Sequence, residues 1–224
     1  MPHAIRFHQP GGPEVLKWEE VAVGDPGPNE ARVRHHAVGL NFIDIYHRTG
    51  AYPLPMPSGI GLEGAGVVEA VGSEVKDLKA GDRVAYAGGP VGAYAEVRLI
   101  PADRLVKLPE ALTFEQGAAM MLQGMTAQYL LRRTYRVQPG DTILIHAAAG
   151  GVGLIVCQWA KALGATVIGT ATSEPGATAI GQRLAAAGGR GVVLDVTDAA
   201  RCEALIDEIG TTHGRLSILV NNAG

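Results

Sequence analysis

The residues of this sequence best suited to chemistry form a glycine-rich turn between an apolar run and a helical segment. Thr142 to Ile145 is short, apolar and β-branched, which predicts a buried parallel strand. The stretch Ala148-Ala-Gly150-Gly-Val-Gly153 follows at once and matches the pattern G-x-G-x-x-G with alanine in the first place. Leu154 to Leu163 has the composition of a helix, and Gly164 is expected to end it.

This strand, glycine turn and helix together predict a binding site for the pyrophosphate of a dinucleotide. Backbone N–H groups at the start of the helix point towards the anion, and the helix dipole adds about 0.3–1 kcal/mol of attraction. We expect Gly150 to let the backbone approach the phosphate and Gly153 to let the helix pack closely on the strand. Gly151 and Val152 are also expected to contact the cofactor. The alternative is a tight strand–helix turn that binds nothing.

The composition restricts the class of protein. With 47% hydrophobic and 18% charged residues, the 224-residue chain can bury a core, and its 31 glycines suit a glycine-turned α/β protein. A net charge of −3 argues against binding to nucleic acid or to anionic membranes. There is no apolar stretch of membrane-spanning length, no signal-peptide core, and no disulfide framework from two cysteines. We therefore expect a cytoplasmic protein.

Residues 1–116 predict a β-barrel domain. Short alternating runs are broken by glycine and proline clusters, which is typical of an all-β barrel. The predicted strands are Ala31–Val38, Gly66–Val71, Asp82–Tyr86 and Ala93–Leu99.

Residues 117–224 predict an incomplete dinucleotide-binding domain. Thr113 and Gln116 have the spacing of a capping box that starts a helix, and a second helix is predicted from Thr126 to Arg133. Strands then alternate with helices, which indicates βαβ units and a parallel sheet. The further elements are Thr166–Thr170, Gly176–Ala187, Gly191–Val196, Ala199–Ile209 and Leu216–Val220. The predicted fold class is therefore α/β, a β-barrel followed by a partial Rossmann-type sheet with flanking helices.

Residues 1 to about 170 resemble the quinone oxidoreductase branch of the medium-chain dehydrogenase/reductase family. The resemblance implies a GroES-like catalytic domain joined to a nucleotide-binding domain. The matching stretches are Gly11-Gly-Pro-Glu-Val-Leu16, Gly39-Leu-Asn-Phe-Ile-Asp44, Gly81-Asp-Arg-Val84, Gln123-Gly-Met-Thr-Ala127, His146-Ala-Ala-Ala-Gly-Gly-Val-Gly153 and Ala160-Lys-Ala-Leu-Gly-Ala165.

Residues from about 164 to 224 resemble the short-chain dehydrogenase/reductase family, most of all 3-oxoacyl-acyl-carrier-protein reductases. The matching stretches are Gly164-Ala-Thr-Val-Ile-Gly-Thr-Ala-Thr-Ser-Glu174, Leu194-Asp-Val-Thr-Asp198 and Ile218-Leu-Val-Asn-Asn-Ala-Gly224. Because both families wrap the same kind of sheet around the same cofactor, we infer a truncated chimera joined near residues 164–170.

The predicted join has consequences for stability and for activity. The catalytic Ser, Tyr and Lys of the short-chain family have no counterpart, which disfavours 3-oxoacyl reduction, and the last part of the medium-chain fold is missing. Each apolar side chain left uncovered would cost about 1.5–3 kcal/mol, against about 5–15 kcal/mol for the stability of a whole domain. We expect folding to be marginal unless the exposed sheet edge forms a homodimer.

The medium-chain resemblance also implies the acceptor site. Residues matching Asn41, Tyr46 and Tyr52 line the cleft over the nicotinamide, where an amide and phenol hydroxyls can donate to a developing quinol oxygen. The alternative for the tyrosines is loop packing. Zinc-dependent relatives carry Gly-His-Glu where this chain has Gly61-Leu-Glu63, and a Cys ligand near Asn41, so no catalytic metal is expected.

Three histidines are predicted to be non-catalytic, with His35 and His36 either structural or facing solvent. His35 and His36 are neighbours on a strand and should therefore face opposite ways. His146 precedes the glycine turn and is expected to pack at the end of its strand.

The choice of cofactor is predicted from the residues after the second strand. NAD sites place an acidic residue there, but this chain reads Thr170-Ala-Thr-Ser173. The hydroxyls of Thr172 and Ser173 leave room for a 2′-phosphate, which favours NADPH. Glu174 weakens this preference. Thr126 matches a family threonine near the cofactor, with a helix N-cap as the alternative.

Two further groups match short-chain positions that flank the adenine and ribose. They are Asp195, Val196, Asn222, Ala223 and Gly224. The alternative is ordinary turn chemistry at strand ends.

The sequence predicts an NADPH-dependent, zinc-independent oxidoreductase that transfers hydride to a quinone or a similar small carbonyl acceptor. The alternative is a truncated nucleotide-binding chimera without catalytic turnover.

Overall fold

The computed structural model describes residues 1–222 and divides the chain into two compact units, residues 1–122 and residues 123–224. The sequence pattern places this boundary at residue 116, whereas the structural division falls inside a helix, between Leu122 and Gln123. The two units are described separately.

Antiparallel strands form the first unit. One sheet has the order β7-β3-β5-β6-β8 and a smaller sheet has the order β2-β1-β4. The elements are β1 (His3–Phe7), β2 (Lys17–Glu20), β3 (Glu30–Gly39), α1 (Phe42–Thr49), β4 (Ser58–Gly59), β5 (Glu63–Val71), β6 (Arg83–Ala87), β7 (Val97–Pro101) and β8 (Val106–Lys107). The predicted β-barrel pattern is confirmed, and one short helix, α1, interrupts it.

Alternation along the long strands builds the core of this unit. Ala31 and Val33 of β3 are fully buried, while Arg32 and Arg34 between and after them reach the ion-pairing carboxylate of Glu69. This period of two is the ordinary geometry of a strand. The strand predicted over Ala93–Leu99 is partly wrong, because β7 starts at Val97.

The short helix α1 was not predicted from the sequence. It starts after Asn41, whose backbone N–H donates to Oδ2 of Asp44 at 3.0 Å, and it ends at Gly50 with φ of 82°. Its eight residues are too few to display a convincing helical period, and glycine and proline clusters follow it closely. The helix positions three predicted site residues, because Asn41 precedes it, Tyr46 lies within it and Tyr52 follows it.

Helix α2 (Phe114–Tyr129) begins with the predicted capping box. The Thr113 N–H donates to Gln116 Oε1 at 2.9 Å, and the Gln116 N–H donates to Thr113 Oγ1 at 3.2 Å. The helix runs on into a wider turn over Leu130–Thr134. The prediction of a separate helix starting at Thr126 is therefore wrong, and Thr126 is not an N-cap.

The second unit alternates strands and helices, as predicted. All strand pairs are parallel, and their order is β11-β10-β9-β12. The elements are β9 (Thr142–Ile145), α3 (Gly151–Ala162), β10 (Thr166–Ala171), α4 (Glu174–Leu184), β11 (Arg190–Val193), α5 (Ala199–His213) and β12 (Ile218–Val220). The order reverses direction at β9, and such a switch point is where open α/β sheets bind ligands.

Both faces of this sheet are covered. Ile143 and Ile145 pack into the cluster that includes α3 and α4, whereas Leu144 packs with Leu205 and Ile209 of α5. Burial on both faces explains why the strands read as continuous apolar runs. Within residues 1–222 no helix combines the length and apolar character that a membrane crossing requires.

Two element boundaries differ from prediction in ways that affect the site. Helix α3 starts at Gly151 rather than Leu154, so the last glycines of the motif lie in its first turn. Strand β11 ends at Val193, so Asp195 and Val196 lie in the loop that follows and not in the strand.

Candidate cofactor and acceptor sites

The glycine motif forms a sharp turn at the carboxyl end of β9. Ala147 adopts φ of 48°, Gly150 is the N-cap of α3, and the Gly150 N–H bonds to the Ala147 carbonyl at 3.0 Å. A left-handed residue other than glycine is uncommon and marks a tightly constrained turn. The chain thus passes from strand to helix in five residues, 146–150, and presents the first backbone amides of α3 at the switch point.

Gly153 is required by the close approach of α3 to this turn. A Cβ on Gly153 would lie 2.5 Å from the Ala147 carbonyl oxygen and 2.6 Å from the Ala148 Cα. Since these are backbone atoms, a larger residue would have to push the helix away from the turn. The structure therefore supports the packing role expected of Gly153.

Gly151 and Val152 contribute to the turn in different ways. A Cβ on Gly151 would lie 2.5 Å from Oε1 of Gln123, so the glycine leaves room for that amide. The side chain of Val152 packs against the buried cluster of the second unit. For both residues, the backbone of the first helical turn is what an anion could contact.

His146 and Thr170 are paired across the ends of β9 and β10. Nδ1 of His146 lies 3.0 Å from Oγ1 of Thr170, and both side chains are buried. Burial lowers the pKa of His146, which favours the neutral ring. Thr170 is therefore not among the hydroxyls free for cofactor recognition, and His146 packs at the strand end as expected.

Thr172 and Ser173 lie exposed after β10. The Gly176 N–H donates to Oγ of Ser173 at 3.4 Å, which makes Ser173 the N-cap of α4, and Glu174 occupies the first turn. The two hydroxyls thus stand beside a positive helix end, next to one acidic residue.

Asp195 mainly stabilises its own loop. Its Oδ1 accepts the Thr197 N–H at 2.9 Å and the Thr197 hydroxyl at 2.7 Å, and these two bonds lower the pKa of Asp195. Val196 is exposed beside it. Asn222 Nδ2 lies 3.5 Å from the Ala147 carbonyl, so it stands at the glycine turn. The predicted contacts at Ala223 and Gly224 lie outside the described residues.

Asn41 is buried, and a hydrogen bond to a buried glutamate fixes its side-chain amide. Nδ2 of Asn41 donates to Oε2 of Glu63 at 2.7 Å. The carboxylate of Asp44 accepts the Asn41 backbone N–H and, at 2.8 Å, the hydroxyl of Tyr94. Side chain and backbone of Asn41 are therefore both fixed by buried carboxylates.

Tyr46 and Tyr52 are brought together beside α1. Their ring centroids are 5.2 Å apart, and Phe42 meets Tyr46 edge-on at 5.2 Å. The Tyr52 N–H bonds to the Tyr46 carbonyl at 3.1 Å, which holds the loop against the helix. Tyr52 and Phe42 are about half exposed, at 51% and 61%. The result is an accessible aromatic surface on the helix that begins after Asn41.

Glu63 is the site residue that sequence reasoning missed. It is 1% exposed, burial raises its pKa, and the hydrogen bond from Asn41 opposes that rise. Its one signal in the sequence is its place in Gly61-Leu-Glu63, where zinc-dependent relatives carry Gly-His-Glu. Among residues 1–222 no group of three or more His, Cys, Asp or Glu side chains is arranged to hold a metal ion.

Comparison with known proteins supports the architecture of both units. Residues 27–110 match the family described as alcohol dehydrogenase GroES-like domain, and residues 141–224 match the family described as short chain dehydrogenase. The fold is thus an α/β fold with a GroES-like domain and a Rossmann-type parallel-sheet region.

Individual relatives show the family. The quinone oxidoreductase of Pseudomonas aeruginosa is 52% identical over 223 residues, covering 94% of this chain and 67% of that protein. The crystal structure of Escherichia coli quinone oxidoreductase complexed with NADPH is 49% identical, with a TM-score of 0.84 over 95% of this chain and 63% of that one. A 2-haloacrylate reductase of a Burkholderia species is 51% identical over 177 residues, covering 76% of this chain and 53% of that protein. The chain belongs to the quinone oxidoreductase family of medium-chain dehydrogenases/reductases.

The chain spans between about half and two thirds of the length of these relatives. Each unit matches one of the two families that the sequence resembles. The short-chain match begins at residue 141 and not near 164, and the P. aeruginosa quinone oxidoreductase covers 94% of the chain. The position of the join, near residues 164–170, stays a prediction.

Proposed function

We propose that this chain reduces a quinone or a similar small carbonyl acceptor by hydride transfer from NADPH, without zinc. The observation that carries the proposal is the turn at β9, where Gly153 allows α3 to approach the strand end closely. The backbone N–H groups in the first turn of a helix have no partner within the helix, so they can bind an anion. That is the cradle a pyrophosphate needs. A relative 49% identical to this chain is described as complexed with NADPH, which supports the choice of cofactor.

Recognition of the 2′-phosphate is assigned to the start of α4. Thr172 and Ser173 offer hydroxyls next to the helix N-terminus, where an NAD-specific site would place a carboxylate after β10. Glu174 opposes the phosphate charge, so the expected preference for NADPH is moderate in size. Further cofactor contacts are proposed for Thr126, Asp195, Val196 and Asn222.

The acceptor is proposed to bind at Asn41, Tyr46 and Tyr52. When bound, the nicotinamide supplies the hydride, while the protein orients the acceptor carbonyl and stabilises its developing charge by hydrogen bonds. Asn41 keeps a second amide N–H besides the one it donates to Glu63. The aromatic surface of Tyr46 and Tyr52 suits a flat ring. Solvent supplies the proton that completes the reduction.

Independence from zinc is supported by the chemistry of the side chains. Leu62 offers no ligand atom, and Asn41 Nδ2 points its proton at Glu63. An amide donor and a single carboxylate do not provide the sulfur and nitrogen ligands that zinc prefers.

The second candidate is a nucleotide-binding chimera without turnover. It is favoured by the two different family matches, since residues 27–110 match the alcohol dehydrogenase GroES-like domain and residues 141–224 match the short chain dehydrogenases. We also propose that the chain can form a homodimer through an edge strand of the sheet, β11 or β12. Such a dimer would stabilise the fold under either candidate function, because it would cover the edge of the sheet.

One assay separates the two candidates. The purified chain is mixed with NADPH and a small quinone, and the nicotinamide absorbance is followed. A decrease that requires quinone supports the reductase. Cofactor binding, measured by nicotinamide fluorescence, without any decrease supports the inactive chimera. The absence of both would refute the cofactor site. Added chelator should leave the rate unchanged if the reaction needs no zinc.

A further inference from the structure

A buried carboxylate stands directly behind the proposed acceptor site. Glu63 lies at the start of β5 and is 1% exposed. Its Oε2 accepts Nδ2 of Asn41 at 2.7 Å, and its Oε1 accepts the backbone N–H of Leu122 at 2.6 Å. Within the described chain, no Lys, Arg or His nitrogen is in ion-pair range of this carboxylate. Burying an unpaired carboxylate costs free energy of folding. We therefore ask what the Glu63 carboxylate does for the neighbouring Asn41.

The space for this carboxylate is provided by Gly39. Gly39 of β3 is directly opposite Glu63 in the antiparallel register. A Cβ on Gly39 would collide with Oε2 of Glu63 and with the backbone carbonyl of Ala118. The strand pair is therefore built so that the Glu63 carboxylate lies over a residue without a side chain and reaches Asn41.

The carboxylate also fixes which way round the Asn41 amide lies. A carboxylate oxygen accepts hydrogen bonds, so it must face the amide NH2 of Asn41 and not the amide oxygen. The Asn41 backbone is held separately by Asp44. Rotation of the amide by 180° would place two oxygens together in a buried setting, which is strongly unfavourable.

We propose that Glu63 is a positioning residue for acceptor reduction, because its hydrogen bond holds the Asn41 amide with the NH2 group inward and the second N–H available to the acceptor oxygen. This inference rests on the proposed function. It assigns to Glu63 an effect on the hydride-transfer step through Asn41, and no effect on NADPH binding.

The test is Glu63→Gln in the full chain. The Glu63 carboxylate accepts hydrogen bonds from Asn41 and from the backbone N–H groups of Met121 and Leu122. Glutamine has one acceptor oxygen, so it can serve either the backbone amides or Asn41 in the native arrangement, but not both. If the oxygen faces the Leu122 N–H, the Gln NH2 group forces the Asn41 amide to rotate. We expect kcat with quinone to fall roughly 10–100-fold, as for a misplaced catalytic contact, with the Kd for NADPH unchanged. Glu69→Gln, the same change in the same strand at a surface ion pair, is the matched control and should retain full activity.

Two readouts distinguish positioning from general loss of structure. In an Asn41→Ala background, the change Glu63→Gln should add less than about a twofold further loss, because the two residues act as one unit. In 15N-labelled protein, the side-chain NH2 resonances assigned to Asn41, by their absence in Asn41→Ala, should shift in Glu63→Gln and stay in place in Glu69→Gln. Additive losses, or a fall in kcat with unmoved Asn41 resonances, would overturn the inference.

A further variant covers the case in which Glu63→Gln does not fold. Glu63→Asp keeps the charge and withdraws the oxygens by one methylene, so it should lower kcat and move the same resonances. A stable Glu63→Asp protein with native kcat would also overturn the inference. If the unmodified chain shows no quinone-dependent oxidation of NADPH, the proposed function fails by itself, and the Asn41 resonances still report whether Glu63 orients the amide.

Discussion

His146 Nδ1 and Thr170 Oγ1 lie 3.0 Å apart and join the carboxyl ends of the two central strands, β9 and β10. The bond takes the hydroxyl of Thr170, near the end of β10, into the core. It leaves Thr172 and Ser173 as the exposed hydroxyls at the end of β10. Discrimination between NADPH and NADH should therefore depend on these two residues.

Ser173→Asp should lower affinity for NADPH about tenfold or more relative to NADH. Aspartate is as good an N-cap as serine, so α4 stays capped while the new carboxylate repels a 2′-phosphate. Ser173→Asn is the matched control, since it caps the helix without adding charge. Both Kd values are measured by nicotinamide fluorescence. An equal change for both cofactors would contradict the assignment of the 2′-phosphate to this position.

Gly153→Ala should impair both stability and cofactor binding. The added Cβ meets backbone atoms of Ala147 and Ala148, so α3 must move, at a cost of about 1–3 kcal/mol. Gly210→Ala is the matched control in α5, where nothing lies within 4 Å of the added carbon, and it should stabilise the chain by about 0.5–1 kcal/mol. Urea unfolding gives both values, and NADPH titration gives the affinities. Unchanged NADPH affinity in Gly153→Ala would contradict the predicted phosphate site.

Tyr52→Phe should reduce kcat/KM for quinone about threefold to tenfold without changing Tm. The ring contact with Tyr46 is retained, and only the exposed hydroxyl proposed to bind the acceptor is removed. Tyr129→Phe removes another exposed hydroxyl, at the end of α2, and serves as the control. If both variants reduce quinone equally well, the Tyr52 hydroxyl does not bind the acceptor and the side chain only packs the loop.

His35 should make the stability of the chain depend on pH. Burial lowers the pKa of His35 from 6.5 to about 4, while its bond to the Ala95 carbonyl opposes this and the charge of Arg98 adds to it. Because the folded pKa is depressed for a base, the unfolded chain binds more protons between these values. The free energy of unfolding is therefore unaffected by this histidine above pH 6.5. As the pH falls from 6.5 towards 4, the free energy of unfolding decreases by up to about 3 kcal/mol.

The measurement is the free energy of unfolding in urea from pH 7.5 to 4.5, for the native chain and for His35→Gln. The native chain should lose more stability over this range than the variant. His146, whose pKa is also lowered by burial, contributes in both proteins and does not obscure the difference. Parallel curves would show that His35 is not buried as a neutral ring in solution.

Parts of the architecture can be predicted from the sequence because local chemistry leaves little choice. Strand β9 is apolar from Ile143 to Ile145 because both faces of a buried parallel strand are covered, and the sequence pattern predicts its limits, Thr142–Ile145, to the residue. The capping box at Thr113 and Gln116 was likewise readable, since it depends on a spacing of three residues. The close packing at Gly153 also follows from a local pattern.

The hydrogen bonds around Asn41, at the proposed acceptor site, depend on tertiary contacts that no local sequence pattern records. Helix α1 has only eight residues, which is too short for a helical period to predict. The sequence pattern also predicts a helix start at Thr126, whereas α2 continues through this residue. Glu63 contacts Asn41 across 22 positions and faces Gly39 across 24, through strand register and burial. A local pattern records spacing along the chain, whereas hydrogen bonds between distant strands and helices depend on which residues the folded sheet brings together.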